Sequence, residues 1–245
     1  MFRFNNKMLY IVLLLLFLSG IGSFVRNPNA LLGLVLTLPG VLVAITFHEF
    51  AHAYAADKLG DDTPRMQGRL NLNPLSHLDP VGTFLLIFAH FGWGKPVQIN
   101  PRNFNRNISM QKGEAIVSFA GPLMNFILSV ILTIIAVALL KFNSDFILTK
   151  AGNIIYTIVQ YAAIVNIGLG IFNLLPFPPL DGSKIFISIL PYNARTWIIN
   201  NQHIFYIIFL VIWITGIASL IISPLIDLLY TGILKLVAML FGLAI

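Results

Sequence analysis

Cysteine is absent from this chain of 245 residues, and charged residues are scarce. The lack of cysteine excludes disulfide bonds and thiolate metal sites, so any metal must bind to histidine, carboxylate or neutral oxygen ligands. Charged residues make up 10% of the sequence, whereas a typical soluble domain has about 25%. This composition excludes an ordinary soluble globular protein.

Long apolar runs take the place of the missing charge. Hydrophobic residues make up 58% of the sequence, and several runs approach or exceed the about 20 residues that a helix needs to cross a bilayer. A spanning backbone must satisfy its own hydrogen bonds, so we predict an all-α polytopic membrane protein with about six transmembrane helices. The predicted spans are residues 9–25, 30–56, 115–140, 154–175, 204–222 and 225–243.

The net charge of +6 does not indicate a nucleic-acid partner, because the basic residues are spread thinly between apolar runs. They are better interpreted as topology determinants. The polar region 57–112 contains Lys58, Arg65, Arg69, Lys95, Arg102, Arg106 and Lys112, and the loops predicted on the opposite side contain Arg26, Lys141 and Lys150. Basic loops stay in the cytoplasm, so we predict a cell-membrane protein with its N-terminus and region 57–112 on the cytoplasmic side.

Three ionisable side chains lie within the apolar stretch AITFHEFAHAYAAD, residues 44–57. His48 and His52 are four residues apart, so on a helix they share one face and can bind one zinc ion, with Glu49 as general base. The alternative is a chance match, or two histidines hydrogen-bonded between helices. Ionisable groups inside a membrane span are costly and usually functional, which favours the metal site.

The third ligand of such a site can be sought by elimination. Glycine at 55 and histidine at 58 would extend the motif, but the chain has Ala55 and Lys58. Besides Glu49 the chain has one glutamate, Glu114, which is better interpreted as a charge at a helix start. Asp181 follows a proline-rich break, and the topology brings it to the membrane side of the histidines. Asp181 is therefore favoured as a ligand over a plain turn aspartate.

Two motifs, HEFAH at 48–52 and NLLPFPPLDG at 173–182, together resemble the site-2 protease family of intramembrane zinc metalloproteases. The resemblance continues in RLNLNPLSHLDPVGT (69–83), FGWGKPVQINPRNF (91–104) and FAGPLMN (119–125). The chain is similar to the compact bacterial branch, since no stretch resembles a PDZ insertion or a cystathionine-synthase-like tail. We expect one membrane-embedded domain over 1–245, with a catalytic core at about 30–190, an N-terminal span at 9–25 and C-terminal spans at 204–243.

The resemblance implies a zinc-dependent endopeptidase that cleaves transmembrane segments of other membrane proteins. It implies one Zn²⁺ per chain, held by His48, His52 and Asp181, with Glu49 as catalytic base and later proton donor. It also implies that Asn173 and Asn125 support the substrate or an intermediate by hydrogen bonds. For Asn125, polar contact between helices is the alternative. The expected partners are a transmembrane protein or peptide and lipid, and not nucleic acid.

The resemblance also implies a membrane-associated β-loop within WGKPVQIN, residues 93–100, where an edge strand could hold an unwound substrate. A simple surface hairpin is the alternative. The short apolar patch 81–92 suits a re-entrant or interfacial element. His77 and Asp79 are expected to fix a loop, because no third metal ligand lies near them in sequence.

Two further functions stay open at the level of sequence. The same histidine, glutamate and aspartate cluster could serve a membrane transporter of metal ions or protons. The chain could also bind membrane segments without cutting them, although a pure binder has no need of Glu49. The sequence names no substrate and does not decide what Asp227 and Lys235 do in the last apolar run.

Overall fold

The computed structural model describes residues 17–18, 21–22, 25–89 and 92–243, and this part of the chain is mostly helical. The helices are α1 (Pro28–Lys58), α2 (Thr63–Met66), α3 (Pro74–His77), α4 (Pro80–Ala89), α5 (Met110–Phe142), α6 (Ser144–Leu148), α7 (Lys150–Leu174), α8 (Asp181–Ile189), α9 (Tyr192–Asn200), α10 (Gln202–Ile214) and α11 (Ile217–Leu240). Four of them, α1, α5, α7 and α11, are long and apolar enough to cross a membrane. The predicted helical membrane class is confirmed.

Helices α1, α5 and α7 pack against one another at the centre of the molecule, and α8 packs against α5. The buried face of α5 carries small and polar residues at intervals of three to four, including Ser118, Gly121, Asn125, Ser129 and Thr133. Small side chains let helix backbones approach closely, which matters in lipid because hydrophobic burial no longer drives helices together. The centre of the fold is therefore tightly packed and contains polar groups.

A buried carboxylate anchors the long connection between α1 and α5. Asp61 accepts hydrogen bonds from the backbone N–H groups of Thr63 and Asn100 and from the Asn103 amide, at 2.6 to 3.1 Å. Burial acts to raise the pKa of Asp61, but hydrogen bonds from Thr63, Asn100 and Asn103 outweigh it and keep the pKa below its ordinary value. The connection is thereby held at Asn100 and Asn103 to the end of α1.

Three predicted spans, 30–56, 115–140 and 154–175, coincide with α1, α5 and α7 and are confirmed. Most of the predicted span 9–25 lies outside the described residues. The predicted count of six spans is not confirmed, because the described part of the chain contains four helices that are long and apolar enough.

The predicted division of the last apolar region into spans 204–222 and 225–243 is wrong. The chain breaks earlier, at Gly216, where φ is +75°, a conformation that glycine adopts without strain. Helix α11 then continues through Pro224, which lies between the two predicted spans. Proline is tolerated in membrane helices because neighbouring groups and local adjustments compensate for its missing N–H. Helix α10, with 13 residues, is shorter than the about 20 residues of a usual span.

The predicted β-loop at 93–100 is not a regular strand in the described part of the chain. These residues have no regular secondary structure, and their strand-like pairing is limited to one antiparallel bridge between Leu78 and Gly94 and a bond from Lys95 N–H to the His77 carbonyl at 2.8 Å. Pro96 has no N–H to continue a ladder. The apolar patch 81–92 contains most of α4, a helix of ten residues.

Candidate metal centre

The three residues predicted to bind a metal meet at one point between α1 and α8. His48 and His52 lie about one turn apart on α1, and Asp181 is the first residue of α8. The two histidine Nε2 atoms are 3.0 Å apart, and each lies 3.1 Å from Asp181 Oδ2. Among the described residues this is the one cluster of three histidine or acidic side chains able to share a metal ion.

Hydrogen bonds at the other nitrogen of each ring decide where its proton lies. His48 Nδ1 lies 2.7 Å from Asn125 Oδ1, and His52 Nδ1 lies 2.7 Å from the carbonyl oxygen of Val117. Both oxygens are acceptors, so each Nδ1 donates, and the neutral form of each ring presents the lone pair of Nε2. Two lone pairs and a carboxylate oxygen then face one another in a buried place. A cation between these three acceptors makes that arrangement favourable.

The donor set fits zinc. Imidazole nitrogen and carboxylate oxygen bind zinc at roughly 2.0–2.2 Å, and three protein ligands with an open fourth position are typical of catalytic zinc. Ligand atoms at that distance around a tetrahedral ion lie about 3.3 Å from one another. The separations of 3.0 and 3.1 Å seen here are close to this value.

A cavity of about 370 Å³ opens beside the three candidate ligands. Glu49 lines it, as do residues of the irregular segment 92–99. Glu49 Oε2 accepts a hydrogen bond from the Val97 N–H at 2.9 Å, which fixes the carboxylate against that segment. The cavity therefore combines a candidate metal site with a carboxylate suited to proton transfer.

Asn125 and Asn173, the two predicted supporting residues, have different positions. Asn173 lines the cavity, and its Nδ2 donates to the Leu169 carbonyl at 3.0 Å. Asn125 is fully buried, does not line the cavity and contacts His48 through the nitrogen that faces away from Asp181. The expectation that Asn125 contacts the substrate does not match this position. The alternative, polar contact between helices, matches the position of Asn125.

Asn166, which was not predicted from the sequence, completes the support behind His48. Asn125 Nδ2 donates to the Asn166 Oδ1 and to the Ala44 carbonyl, both at 3.0 Å, and Asn166 Nδ2 donates to the Ala162 carbonyl at 2.8 Å. These contacts join α1, α5 and α7 and fix the orientation of the Asn125 amide. The sequence feature that could have indicated Asn166 is the presence of an asparagine inside an apolar helix.

Gly121 on α5 lies directly against both imidazoles. A methyl group at this position would lie 2.6 Å from the His52 ring and 2.7 Å from His48 Cε1, inside normal contact distance. We expect Gly121→Ala to displace the ligands and to weaken zinc binding by at least the 10–100-fold typical of changes around a metal site. Zinc affinity, measured by competition with a chelator, checks this.

The matched control for that experiment is Gly33→Ala, another glycine of a spanning helix. A methyl group added at Gly33 meets no other atom within 4 Å, so its zinc affinity should equal that of the unchanged protein. Wild-type zinc affinity in Gly121→Ala would contradict the placement of the histidines described here.

The remaining histidines do not add a second metal site in the described part of the chain. His77 is fully buried, and its Nε2 lies 2.8 Å from the Asn71 carbonyl. Asp79 accepts a hydrogen bond from the Gly82 N–H at 2.8 Å, at the start of α4. The predicted loop-fixing role of His77 and Asp79 agrees with these contacts. His90 lies outside the described residues.

Comparisons with known proteins identify relatives. The sequence model of peptidase family M50 matches residues 146–215. The chain is 37% identical to YwhC of Bacillus subtilis (strain 168) over 222 residues, which are 89% of this chain and 97% of YwhC. It is 31% identical to Rip2 of Mycolicibacterium smegmatis over 169 residues, 67% of this chain and 61% of Rip2. The names of both relatives contain the words zinc metalloprotease. No solved structure matches the chain significantly.

The similarity to YwhC extends over nearly the whole of that relative, and the family match covers the turn that carries Asp181. The zinc metalloprotease names of the relatives agree with the structure, in which two histidines and an aspartate form a donor set suited to zinc. The resemblance seen in the motifs is thereby confirmed. The chain belongs to peptidase family M50, the site-2 protease family, and is a zinc metalloprotease.

Proposed function

We propose that this protein is an intramembrane endopeptidase that cleaves transmembrane segments of other membrane proteins. The observation that carries the proposal is the placement of three converging acceptors and a further carboxylate, Glu49, beside one cavity on an apolar spanning helix. A site on such a helix is reached by substrates that lie in the membrane. The substrate class is therefore an apolar helix of another protein, in a lipid environment.

The roles of the residues follow from their positions. Zinc held by His48, His52 and Asp181 would polarise a peptide carbonyl and lower the pKa of a water molecule toward 7. Glu49 lines the same cavity, so its carboxylate can take a proton from that water and later give it to the departing amine. Asn173 lines the cavity as well, which supports a role in hydrogen-bonding the peptide.

A helical substrate must unwind before its peptide bonds can be attacked, since its carbonyl groups are engaged in its own hydrogen bonds. The irregular segment 92–99 lines the cavity, and the one β-bridge in the described part of the chain joins its Gly94 to Leu78. An unwound peptide can add to this segment as a further strand. We assign this segment the role of holding the substrate next to Glu49.

The orientation in the membrane is inferred from charge. Region 57–112, which includes the connection between α1 and α5, holds seven basic residues, against three in the loops on the other side. The excess of positive charge supports a cytoplasmic location for this region and for the end of α1 that carries the site. Water for hydrolysis would then enter from the cytoplasm.

Metal removal tests the proposed activity. The purified protein, in lipid nanodiscs, is added to detergent-solubilised membrane proteins from cells that lack it, and new peptide ends are mapped by mass spectrometry. We expect ends inside apolar segments, their loss after treatment with 1,10-phenanthroline and their return when Zn²⁺ is restored, because the metal supplies the electrophile.

The same preparation separates the proposal from a transporter. In proteoliposomes, a zinc-sensitive dye enclosed in the lumen would report transport. Zinc entry without any new peptide ends would contradict a protease and support a transporter. Peptide ends confined to soluble loops would contradict the intramembrane substrate class while leaving the protease activity intact.

A further inference from the structure

Ser118 on α5 has a buried hydroxyl group that no part of the preceding mechanism uses. The residue is 1% exposed, and its Oγ has no hydrogen-bond partner among the described residues. It lines the cavity that also contains Glu49 and the three candidate zinc ligands. A buried hydroxyl without a partner is rare in proteins and needs an explanation.

The helix geometry does not impose this lack of a partner. Serine and threonine in helices commonly bond to a carbonyl three or four residues earlier. Ser129 and Thr133 on the same helix do so, to the carbonyl groups of Phe126 and Ser129, each at 2.7 Å. The Ser118 hydroxyl makes no such bond, which leaves its hydrogen available for a group that enters the cavity.

The backbone around Ser118 is fixed relative to the candidate metal. The carbonyl of Val117, the preceding residue, accepts the His52 Nδ1–H at 2.7 Å. Gly121, three residues later and on the same face of the helix, lies against both imidazoles. The hydroxyl is thus held on a rigid element beside the ligands, as a preorganised donor has to be.

We infer that the Ser118 hydroxyl donates a hydrogen bond to the scissile carbonyl oxygen of the peptide substrate. This inference rests on the proposed peptidase function. During attack by water the carbonyl oxygen gains negative charge, and a fixed neutral donor in a largely apolar cavity stabilises that charge. The hydroxyl keeps its proton throughout, so Glu49 remains the group that transfers protons.

The test compares Ser118→Ala with Ser129→Ala in the purified zinc-loaded protein, using the cleaved peptide found in the mapping experiment. Removing one such donor typically lowers kcat by about 10²-fold or more. We expect that loss in kcat for Ser118→Ala, with little change in KM and with one zinc per chain retained. Ser129→Ala removes an equally buried hydroxyl that is bonded within its own helix, and it should keep wild-type kcat.

Ser118→Thr keeps the donor and should recover most of the lost kcat. Three results would overturn the inference: an unchanged kcat in Ser118→Ala, the same loss in Ser129→Ala, or a loss of zinc from Ser118→Ala. The last result would show that the hydroxyl acts through the metal ligands. Failure of the proposed function is distinguishable, because then the wild-type protein itself would cleave nothing or Glu49→Gln would remain active.

Discussion

Glu49→Gln is expected to reduce peptide hydrolysis by roughly 10³-fold or more while leaving zinc bound. Glutamine has nearly the same shape as glutamate and can still accept the Val97 N–H bond that the carboxylate accepts at 2.9 Å. It cannot take a proton from water, and general acid–base catalysis contributes about 10²–10⁴-fold. The rate of cleavage of the mapped peptide checks the loss of hydrolysis. The zinc content of the same samples, measured by mass spectrometry, checks that the metal stays bound.

The chain offers a matched control for this variant in Glu114, the one other glutamate. Glu114 lies in the second turn of α5 and is not a lining residue of the cavity. Glu114→Gln should therefore keep wild-type hydrolysis and zinc content. Substantial cleavage by Glu49→Gln would show that another group activates the water, and it would remove the assigned role of Glu49.

Asp181→Ala is expected to abolish stable zinc binding and with it all hydrolysis. Asp181 Oδ2 lies 3.1 Å from both imidazole nitrogens and is the one anionic member of the three acceptors. Its removal should lower the zinc affinity by more than the 10–100-fold loss that is typical when a residue that only contacts a ligand is removed. Chelator competition measures this directly, and the gain in melting temperature on adding zinc should disappear as well.

Two variants make this result specific. Asp227→Ala removes an exposed carboxylate from another spanning helix and should keep wild-type zinc affinity. Asn125→Ala removes the acceptor behind His48. Its zinc affinity should lie between those of Asp227→Ala and Asp181→Ala, at 10–100-fold below that of the unchanged protein. Equal zinc affinity in Asp181→Ala and the unchanged protein would rule out Asp181 as a ligand.

The sequence was sufficient to predict those parts of the site that depend on local spacing. His48 and His52 are separated by about one helical turn, so a helix alone brings them together. Asp181 could be predicted as the third ligand because the topology put it on the same side of the membrane as the two histidines, after a proline-rich break. Helices α1, α5 and α7 followed from length and hydropathy, since a spanning backbone has few alternatives.

Features that depend on packing between helices could not be predicted in this way. Asn125 and Asn166 are 41 residues apart and meet only because α5 and α7 pack together. The unpartnered hydroxyl of Ser118 becomes visible only when its neighbours are known. The break at Gly216 lies inside the predicted span 204–222, where the apolar run is continuous enough to conceal it.

The hydrogen bonds on the outer nitrogens of the two imidazoles determine which atom each ring offers to a cation. Because each Nδ1 faces an acceptor oxygen, Nε2 is the atom left to bind, and both Nε2 atoms lie 3.1 Å from Asp181 Oδ2. Histidine binds a metal through its neutral ring, so the negative charge that a divalent ion meets here comes from the carboxylate of Asp181. Opposite charges in contact offset part of the cost of holding each of them in surroundings of low dielectric constant. A bound ion and the Asp181 carboxylate would therefore stabilise each other inside the apolar helix bundle.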